Sequence, residues 1–391
     1  MSIRAKTGLK RKVRAFRARH SKPVEAEVDL GADSARIRYG EREIFFRSRN
    51  LPERPRRTAD FALLALSLAA LSRGRNFRLN APVTQSAYEH HRRYMWFWRT
   101  IDPKRFAPAR VECPIIVPDP ELAPDAGSLI CLSGGVDSTY ALLNNPGRYR
   151  HGLLLKGADY PVDGPSGFDE LESRVCRIAG TQGLAVGVVE TNLRDIFGDW
   201  EALHSGMLVA CLRFALADVG RGAYAADYTP MQEALVFPWG NMRAVAEVLS
   251  SGLVPLDHLH SDVPRTQKVA FLARQPEEVL SSLTVCYETP HNAQNCGKCR
   301  KCMMTRLALQ AVSDPSLREG AEVAMFGGVM NPLEFVRSLQ LSPDPADPTR
   351  TSLLLRFDDI GRYLPEGALR RAIMNRLGFG RPSIPEKLQD D

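Results

Sequence analysis

The spacing of hydrophobic and polar positions divides the chain into two regions. Residues 24–49 alternate with a period of two, which predicts three short strands with turns at Gly31 and Gly40. Helices are predicted over 57–72, capped by Thr58, and over 84–101, where aromatic side chains form a face typical of a core. Further strands are predicted over 76–83 and 110–117. The proline-rich, polar segment 118–125 has the composition of a linker, so we expect a domain boundary there.

From residue 127 the pattern changes to strands that alternate with helices. The predicted strands are 128–132, 151–156, 185–190, 223–226 and 253–258, with helices between them. This alternation predicts an α/β fold with a doubly wound parallel sheet, in which ligands bind beyond the carboxyl ends of the strands at the switch point. Residues 313–391 are predicted to form helical segments to which we assign no chemistry. We therefore expect an N-terminal α/β accessory domain (1–125), a central domain (126–312) and a helical C-terminal extension (313–391).

Composition narrows the class of protein. The 391 residues are 44% hydrophobic and 25% charged, which is typical of soluble globular proteins. The longest apolar stretch, 61–71, is about half the length of a membrane span. The N-terminus lacks the apolar segment of a secretory signal, and eight cysteines in a chain of this size do not make a disulfide scaffold. We expect a cytoplasmic protein with no membrane association.

Positive charge is concentrated at the N-terminus. The chain has a net charge of +7, but residues 1–57 alone carry 17 Lys and Arg against 7 Asp and Glu. Residues 1–22 contain nine basic residues and no acid. Such an arm can bind nucleic acid through its phosphates, yet few aromatic residues are interleaved with the charges. We favour a solvated tail over a nucleic-acid contact.

The run from Leu129 to Thr139 is the strongest indication of chemistry. An apolar strand ends at a turn, Ser133-Gly134-Gly135, and a helix is predicted from Asp137. Adjacent glycines let the backbone approach a ligand, and the amides that follow, with the hydroxyls of Ser133 and Ser138, would form an anion site at a helix N-terminus. The Walker A pattern does not occur in the sequence. The loop therefore suits a pyrophosphate group.

Four cysteines fall within 17 residues with the spacing C-x9-C-x2-C-x2-C: Cys286, Cys296, Cys299 and Cys302. Cys-x2-Cys steps let thiolates reach one ion from a tight turn, and Gly297 relieves the backbone at that turn. Four thiolates would make a closed structural zinc site. An iron–sulfur cluster is the competing interpretation, because ferredoxins use similar spacings.

The pattern Ser-Gly-Gly-x-Asp-Ser resembles the PP-loop of the N-type ATP pyrophosphatases. Together with the cysteine cluster it resembles the 7-cyano-7-deazaguanine synthase (QueC) family over residues 127–310. The matching segments are 133–138, 263–268, 283–287 and 295–302. The extra N-terminal region makes the chain similar to the QueC-like proteins of antiphage gene clusters (type IV CBASS and Qat).

The resemblance implies a set of site residues. ATP with Mg²⁺ would contact Lys156 and the loop residues Ser133, Gly134, Gly135, Val136, Asp137, Ser138 and Thr139. Catalytic roles would fall to Asp137, as a Mg²⁺ ligand, and to Lys268, assisted by Arg265, as cations for the α phosphate or leaving group. Asp227 and Glu233 are candidates for binding a guanine-like ring, and Cys286, Cys296, Cys299 and Cys302 would hold Zn²⁺.

The resemblance also implies a reaction: a deazaguanine-type acid is adenylated with release of pyrophosphate, and an amine then forms an amide. The amine would be that of a protein partner in antiphage defence, or ammonia as in 7-cyano-7-deazaguanine synthesis. A tRNA-modifying PP-loop enzyme is a second hypothesis for the chain, and a non-catalytic scaffold with a decayed site is a third. We expect a homo-oligomer.

Overall fold

The structure is a computed structural model and describes residues 21–106, 108–121, 127–163, 166–288, 292–339 and 348–377. Most of the predicted basic arm (1–22) and residues 122–125 of the predicted linker lie outside the described residues. No helix within the described ranges has the length and apolarity needed to cross a bilayer.

Twelve strands and fifteen helices are found in the described residues. The strands are β1 (Val24–Leu30), β2 (Ser34–Tyr39), β3 (Arg42–Arg49), β4 (Phe77–Leu79), β5 (Val83–Thr84), β6 (Val111–Glu112), β7 (Ile116–Val117), β8 (Gly127–Cys131), β9 (His151–Lys156), β10 (Ala185–Thr191), β11 (Gly220–Ala225) and β12 (Leu256–Leu259). The helices before residue 260 are α1 (Asp60–Arg73), α2 (Gln85–Ile101), α3 (Val136–Leu143), α4 (Phe168–Gly180), α5 (Leu193–Ile196), α6 (Trp200–Ala215), α7 (Pro230–Val236) and α8 (Arg243–Leu249). Those after it are α9 (Arg265–Leu272), α10 (Glu277–Ser282), α11 (Arg300–Leu309), α12 (Pro315–Phe326), α13 (Pro332–Ser338), α14 (Pro348–Tyr363) and α15 (Ala368–Arg376).

The fold is α/β, with a large and mostly parallel central sheet of ten strands in the order β12-β11-β8-β9-β10-β3-β2-β1-β4-β6. The five strands from β12 to β10 are parallel to one another. Along the chain the sheet grows from β8 through β9 to β10 on one side, and through β11 to β12 on the other. The direction of growth therefore reverses between β8 and β11, and this reversal is the switch point at which open α/β sheets bind ligands.

Helices cover both faces of these parallel strands, as predicted. Alternate residues of β8 and β9 face opposite sides, because successive side chains of a strand point in opposite directions. Leu129 and Leu153 join a core formed with α1 and α6, whereas Ile130 and Leu154 join a second core formed with α3, α4 and α9.

The N-terminal strands β1–β3 extend the same sheet. β3 pairs antiparallel with β10, with Val188 opposite Arg49, and β2 and β1 continue the sheet from there. The buried residues of β1–β3 and α1 also share one core with those of β8 and α6. Of the strands before the predicted boundary at 118–125, β5 and β7 pair in a small sheet apart from the central one. The remaining strands belong to the central sheet, which continues through β3 from the edge of β10.

The start of α1 differs from the prediction. Thr58 does not cap it: the N-cap position is Ala59, and no side chain of that residue closes the helix. Instead, the carboxylate of Asp218 accepts the backbone N–H groups of Asp60 and Phe61, each at 3.1 Å, and the Thr58 hydroxyl at 3.1 Å. The helix is capped from the loop that follows α6, so tertiary packing replaces the local cap.

Other local predictions were confirmed in part. The helix predicted over 84–101 is α2, and Thr84 proves to cap it through its hydroxyl, which accepts the Ala87 N–H. Tyr94 and Trp98 of the aromatic face are fully buried, but Trp96 is largely exposed, because it lies on the opposite side of α2. Two further short helices, α5 with four residues and α7 with seven, were not predicted.

We expect Asp218→Ala to lower the free energy of unfolding by about 2–3 kcal/mol, because it leaves buried donors without their acceptor. The measurement is urea denaturation followed by circular dichroism. Asp218 has a φ of 64°, a conformation that Asn also tolerates, so Asp218→Asn serves as the matched control with a smaller loss. An alanine variant as stable as the parent protein would show that this cap contributes little.

Candidate active site and metal centre

The glycine loop has the geometry of an anion site. Gly134 has a φ of +72°, and a Cβ there would lie 3.2 Å from Val175 and 3.3 Å from Leu171. The positive φ favours glycine, and any larger residue would also have to displace these two side chains by a few tenths of an ångström. The Ser138 hydroxyl accepts the Ser133 N–H at 3.2 Å and closes the turn. No side chain of the described residues caps α3, so the first amides of this helix lack an intrahelical partner and point out of its N-terminus.

The loop residues differ in what they can offer a ligand. Ser133 is exposed, and Ser138 is buried beneath it with the two hydroxyl oxygens 3.1 Å apart. Val136 and Thr139 are buried, at 1% and 2% exposure, so their side chains are not available to a ligand. Lys156 lies at the carboxyl end of β9, and its ammonium nitrogen is 5.7 Å from the centre of the Phe168 ring.

Three predicted catalytic residues form one charge cluster at the switch point. The Lys268 ammonium is 3.2 Å from Asp137 Oδ1, and Arg265 pairs with Asp137 Oδ2. The Lys268 side chain is only 1% exposed, against 15% for Asp137 and 17% for Arg265. Lys268 also donates to the carbonyl oxygen of Ala226, at the end of β11, at 2.6 Å. The cluster thus ties the start of α3, the end of β11 and helix α9 together.

The protonation state of Asp137 follows from these neighbours. Burial by itself raises the pKa of this carboxyl, but Arg265, Lys268 and Arg356 together hold the pKa below its ordinary value. Asp137 is therefore an anion throughout the neutral range. A carboxylate that already neutralises two cations can give them up to a more strongly charged ligand, such as a polyphosphate.

The two candidate substrate residues lie in different surroundings. Asp227 follows β11 directly after Ala226 and is only partly buried, and both of its carboxylate oxygens are 3.2 Å from Trp239 Nε1, the donor. Burial raises its pKa, with Arg356 opposing this effect. Glu233 is 8% exposed, and both of its oxygens accept the Arg243 N–H at 3.2 Å at the start of α8. Asp227 remains available to a ligand, whereas Glu233 is engaged in capping a helix.

Sequence analysis missed a group of residues on α14, in the C-terminal extension. The carboxylate of Asp359 accepts both the N–H and the hydroxyl of Thr266 at 3.0 Å, and so caps the helix that carries Lys268. Arg356 Nη2 donates to the Asp227 carbonyl oxygen at 2.9 Å. Arg356 and Asp359 are three residues apart and so share one helix face, beside the buried stripe of Leu353, Phe357 and Ile360. The sequence feature that could have identified these residues is an arginine and an aspartate beside an apolar stripe of a predicted helix.

The four predicted metal ligands come together as one group. The sulfur atoms of Cys286, Cys296, Cys299 and Cys302 all lie within 4.8 Å of one another. The Cys286 and Cys299 sulfurs are 3.7 Å apart, and those of Cys296 and Cys302 are 4.0 Å apart. A tetrahedral ion with bonds of about 2.3 Å separates its sulfurs by about 3.8 Å. The four cysteines therefore fit a single metal ion such as zinc.

Two of the four sulfurs accept backbone hydrogen bonds. Backbone N–H groups point at the sulfurs: Glu288 N is 3.3 Å from Cys286 Sγ, and Cys299 N is 3.2 Å from Cys296 Sγ. Such donors stabilise the charge on metal-bound sulfur and orient the ligand. Gly297 has a φ of +68°, as the predicted tight turn requires.

The cysteine cluster is connected to the glycine loop. Thr284, two residues before Cys286, donates its N–H to the Gly134 carbonyl oxygen at 2.8 Å. Asn295, next to Cys296, holds the segment before Cys286: its Oδ1 accepts the N–H groups of Val285 and Cys286, at 2.8 and 3.2 Å, and its Nδ2 donates to Leu283 O at 2.8 Å. The cysteine cluster and the glycine loop therefore share a backbone segment.

No protein-family model matches this chain, and neither a curated protein nor a solved structure matches it.

We expect the purified protein to contain one zinc ion per chain, measured by inductively coupled plasma mass spectrometry. Cys299→Ala should lose the metal and lower the melting temperature by on the order of 10 °C, because a structural metal contributes its binding free energy to folding. Cys176→Ala is the matched control, because Cys176 is exposed and outside the cluster. Stoichiometric iron and sulfide would contradict the zinc assignment.

We expect Asn295→Ala to increase amide hydrogen exchange in residues 283–286 and in the glycine loop by roughly tenfold, because their shared hydrogen bonds lose a clamp. Hydrogen-exchange mass spectrometry measures this, and metal analysis checks that the four cysteines still bind their ion. Asn292→Ala is the control: Asn292 bonds within its own turn, accepting the Gln294 N–H at 3.0 Å. If exchange increased only in residues 283–286, the glycine loop would not depend on this segment.

Proposed function

We propose that this protein uses ATP to adenylate a carboxylic acid and then transfers the acyl group to an amine. The observation that carries the proposal is the cluster of Asp137, Arg265 and the buried Lys268 at the N-terminus of α3, directly after a glycine loop at the sheet's switch point. A phosphate chain at this position would meet free backbone amides, two cations and one carboxylate.

The chemistry needs little from the protein beyond position and charge. A carboxylate oxygen attacks the α phosphorus, the bond to the bridging oxygen breaks, and pyrophosphate leaves with the electron pair. Lys268 and Arg265 stabilise the negative charge that develops on the α phosphoryl and leaving groups. The amine then attacks the acyl carbon, loses a proton, and AMP leaves.

This arrangement offers Mg²⁺ one protein ligand, the Asp137 carboxylate. The ion commonly binds one or two carboxylates together with phosphate oxygens and water, and Asp137 offers one such carboxylate. Bound there, Mg²⁺ would neutralise charge on the departing pyrophosphate. Asp137 would then exchange Lys268 and Arg265 for the metal, which leaves both cations for the phosphates.

The resemblance to the QueC family points to a 7-carboxy-7-deazaguanine-like acid. Asp227 supports this choice of acid, because it lies one residue beyond the Ala226 carbonyl that Lys268 holds and is only partly buried. A carboxylate can accept the N–H groups of a guanine edge. Glu233 plays no part in the proposal, because its oxygens bind the start of α8.

Adenylation accounts for the site better than sulfur transfer to tRNA does. Sulfur transfer needs a reactive thiolate near the loop, and Cys131 is the nearest candidate by sequence. Burial raises the pKa of Cys131 to about 12, so it is protonated and a poor nucleophile at neutral pH. The acceptor amine is either ammonia or a group on a protein partner, as in the QueC-like antiphage proteins.

The test is incubation of the protein with ATP labelled at the α phosphate, Mg²⁺ and 7-carboxy-7-deazaguanine. We expect labelled AMP and pyrophosphate in amounts that depend on the acid. Ammonium and a co-expressed partner protein are then compared as acceptors by mass spectrometry. Formation of ADP, or AMP formation indifferent to the acid, would refute adenylation.

We expect Asp137→Asn and Lys268→Met each to reduce acid-dependent AMP formation by about 100-fold or more, because each removes a charge from the phosphate site. Asp169→Asn is the matched control, an exposed aspartate in the first turn of α4. Melting temperatures check folding, since Lys268 is buried. Full turnover by folded Asp137→Asn would exclude the cluster from the reaction.

A further inference from the structure

The C-terminal helix α14 presents one polar face to the proposed active site. Residues 352, 356, 359 and 363 recur at the spacing of a single helix face. Each contacts a site element: Ser352 Oγ is 2.8 Å from Tyr228 Oη, Arg356 binds the Asp227 carbonyl, Asp359 binds Thr266, and Tyr363 accepts from Gln267 at 2.9 Å. This helix therefore forms a wall of the site, although its sequence suggested no chemistry.

One terminal nitrogen of the Arg356 guanidinium is hydrogen-bonded and the other is not. Its Nη2 donates to Asp227 O, and its guanidinium carbon lies 4.3 Å from the centre of the Tyr228 ring. Its Nη1 is buried and has no hydrogen-bond partner in the described part of the chain. A buried donor without a partner costs free energy that a bound acceptor recovers.

Arg356 differs from Lys268 and Arg265 in the helix that carries it and in having no carboxylate partner for Nη1. Those two cations come from α9 and pair with the carboxylate in the first turn of the loop helix. Arg356 comes from α14 and binds the Asp227 carbonyl, next to the Ala226 carbonyl that Lys268 holds, and its charge also acts on the Asp137 carboxylate. An acid bound between them would be adjacent to both the phosphate site and Asp227.

We propose that Arg356 binds the carboxylate of the acid substrate and holds it against the α phosphate. A planar guanidinium fork matches a carboxylate in a way that a point charge does not. This inference rests on the proposed function, and it assigns the C-terminal extension a part in selecting acids over neutral analogues.

The test compares Arg356→Ala, Arg356→Lys and the control Arg362→Ala. Arg362 lies on the same helix, is exposed and pairs with Asp358 one turn away. Isothermal titration calorimetry measures binding of ATP with Mg²⁺, of 7-carboxy-7-deazaguanine, and of the corresponding carboxamide. Steady-state assays give the KM for the acid.

We expect Arg356→Ala to weaken acid binding and raise the KM for the acid by about 10–100-fold, while ATP affinity stays within about twofold. Arg356→Lys should recover part of the loss, and Arg362→Ala should behave like the parent protein. The carboxamide should bind the parent and Arg356→Ala equally, which a general disturbance of the site would not produce.

Two results would overturn the inference: an unchanged acid affinity in folded Arg356→Ala, or a loss of ATP affinity as large as the loss for the acid, which would place Arg356 on the phosphates. Failure of the proposed function is a different result. In that case the parent protein makes no AMP, whereas Arg356-dependent binding of the acid alone would still support the assignment.

Discussion

The buried ammonium of Lys268 is the constraint on which the site depends. A charge withdrawn from water is stable only where opposite charge and hydrogen-bond acceptors surround it. Asp137 and the Ala226 carbonyl supply them, from the start of α3 and the end of β11. The loop helix, the strand beyond the switch point and α9 must therefore stay within hydrogen-bond distance of one another. The arrangement that satisfies the lysine also places two cations and one carboxylate at the end of the glycine loop.

Two distant parts of the chain hold this arrangement from opposite sides. Asp359 on α14 caps the helix that carries Lys268 and Arg265. The segment before Cys286 bonds to Gly134, and Asn295 fixes that segment beside the cysteine cluster. A metal ion at the cluster would act on the loop only through this backbone path, because closed tetrahedral sites leave no position for a substrate. The C-terminal helix and the cysteine cluster are thus supports of the same loop.

The N-terminal strands have a comparable role in the sheet. An exposed edge at β10 would offer unpaired N–H and C=O groups, and β3 covers that edge. Asp218, after α6, reaches back to cap α1, which is buried between the two halves of the chain. The two regions that the sequence pattern separates are therefore joined by backbone pairing, a common core and a buried carboxylate.

Individual strands and helices and the cysteine cluster could be predicted from the sequence alone. The period of the apolar residues predicted the strand His151–Lys156 and the helix after Gly135, and cysteine spacing predicted the four-sulfur cluster. Asp137, Lys268 and Arg265 were predicted as site residues through a resemblance of short motifs. The tertiary structure decided their pairing, the contacts of Arg356 and Asp359, the engagement of Glu233 with α8, and the continuity of the sheet. Each of these depends on contacts between residues far apart in the chain, and such contacts leave no periodic trace in the sequence, because they arise only when helices and strands pack.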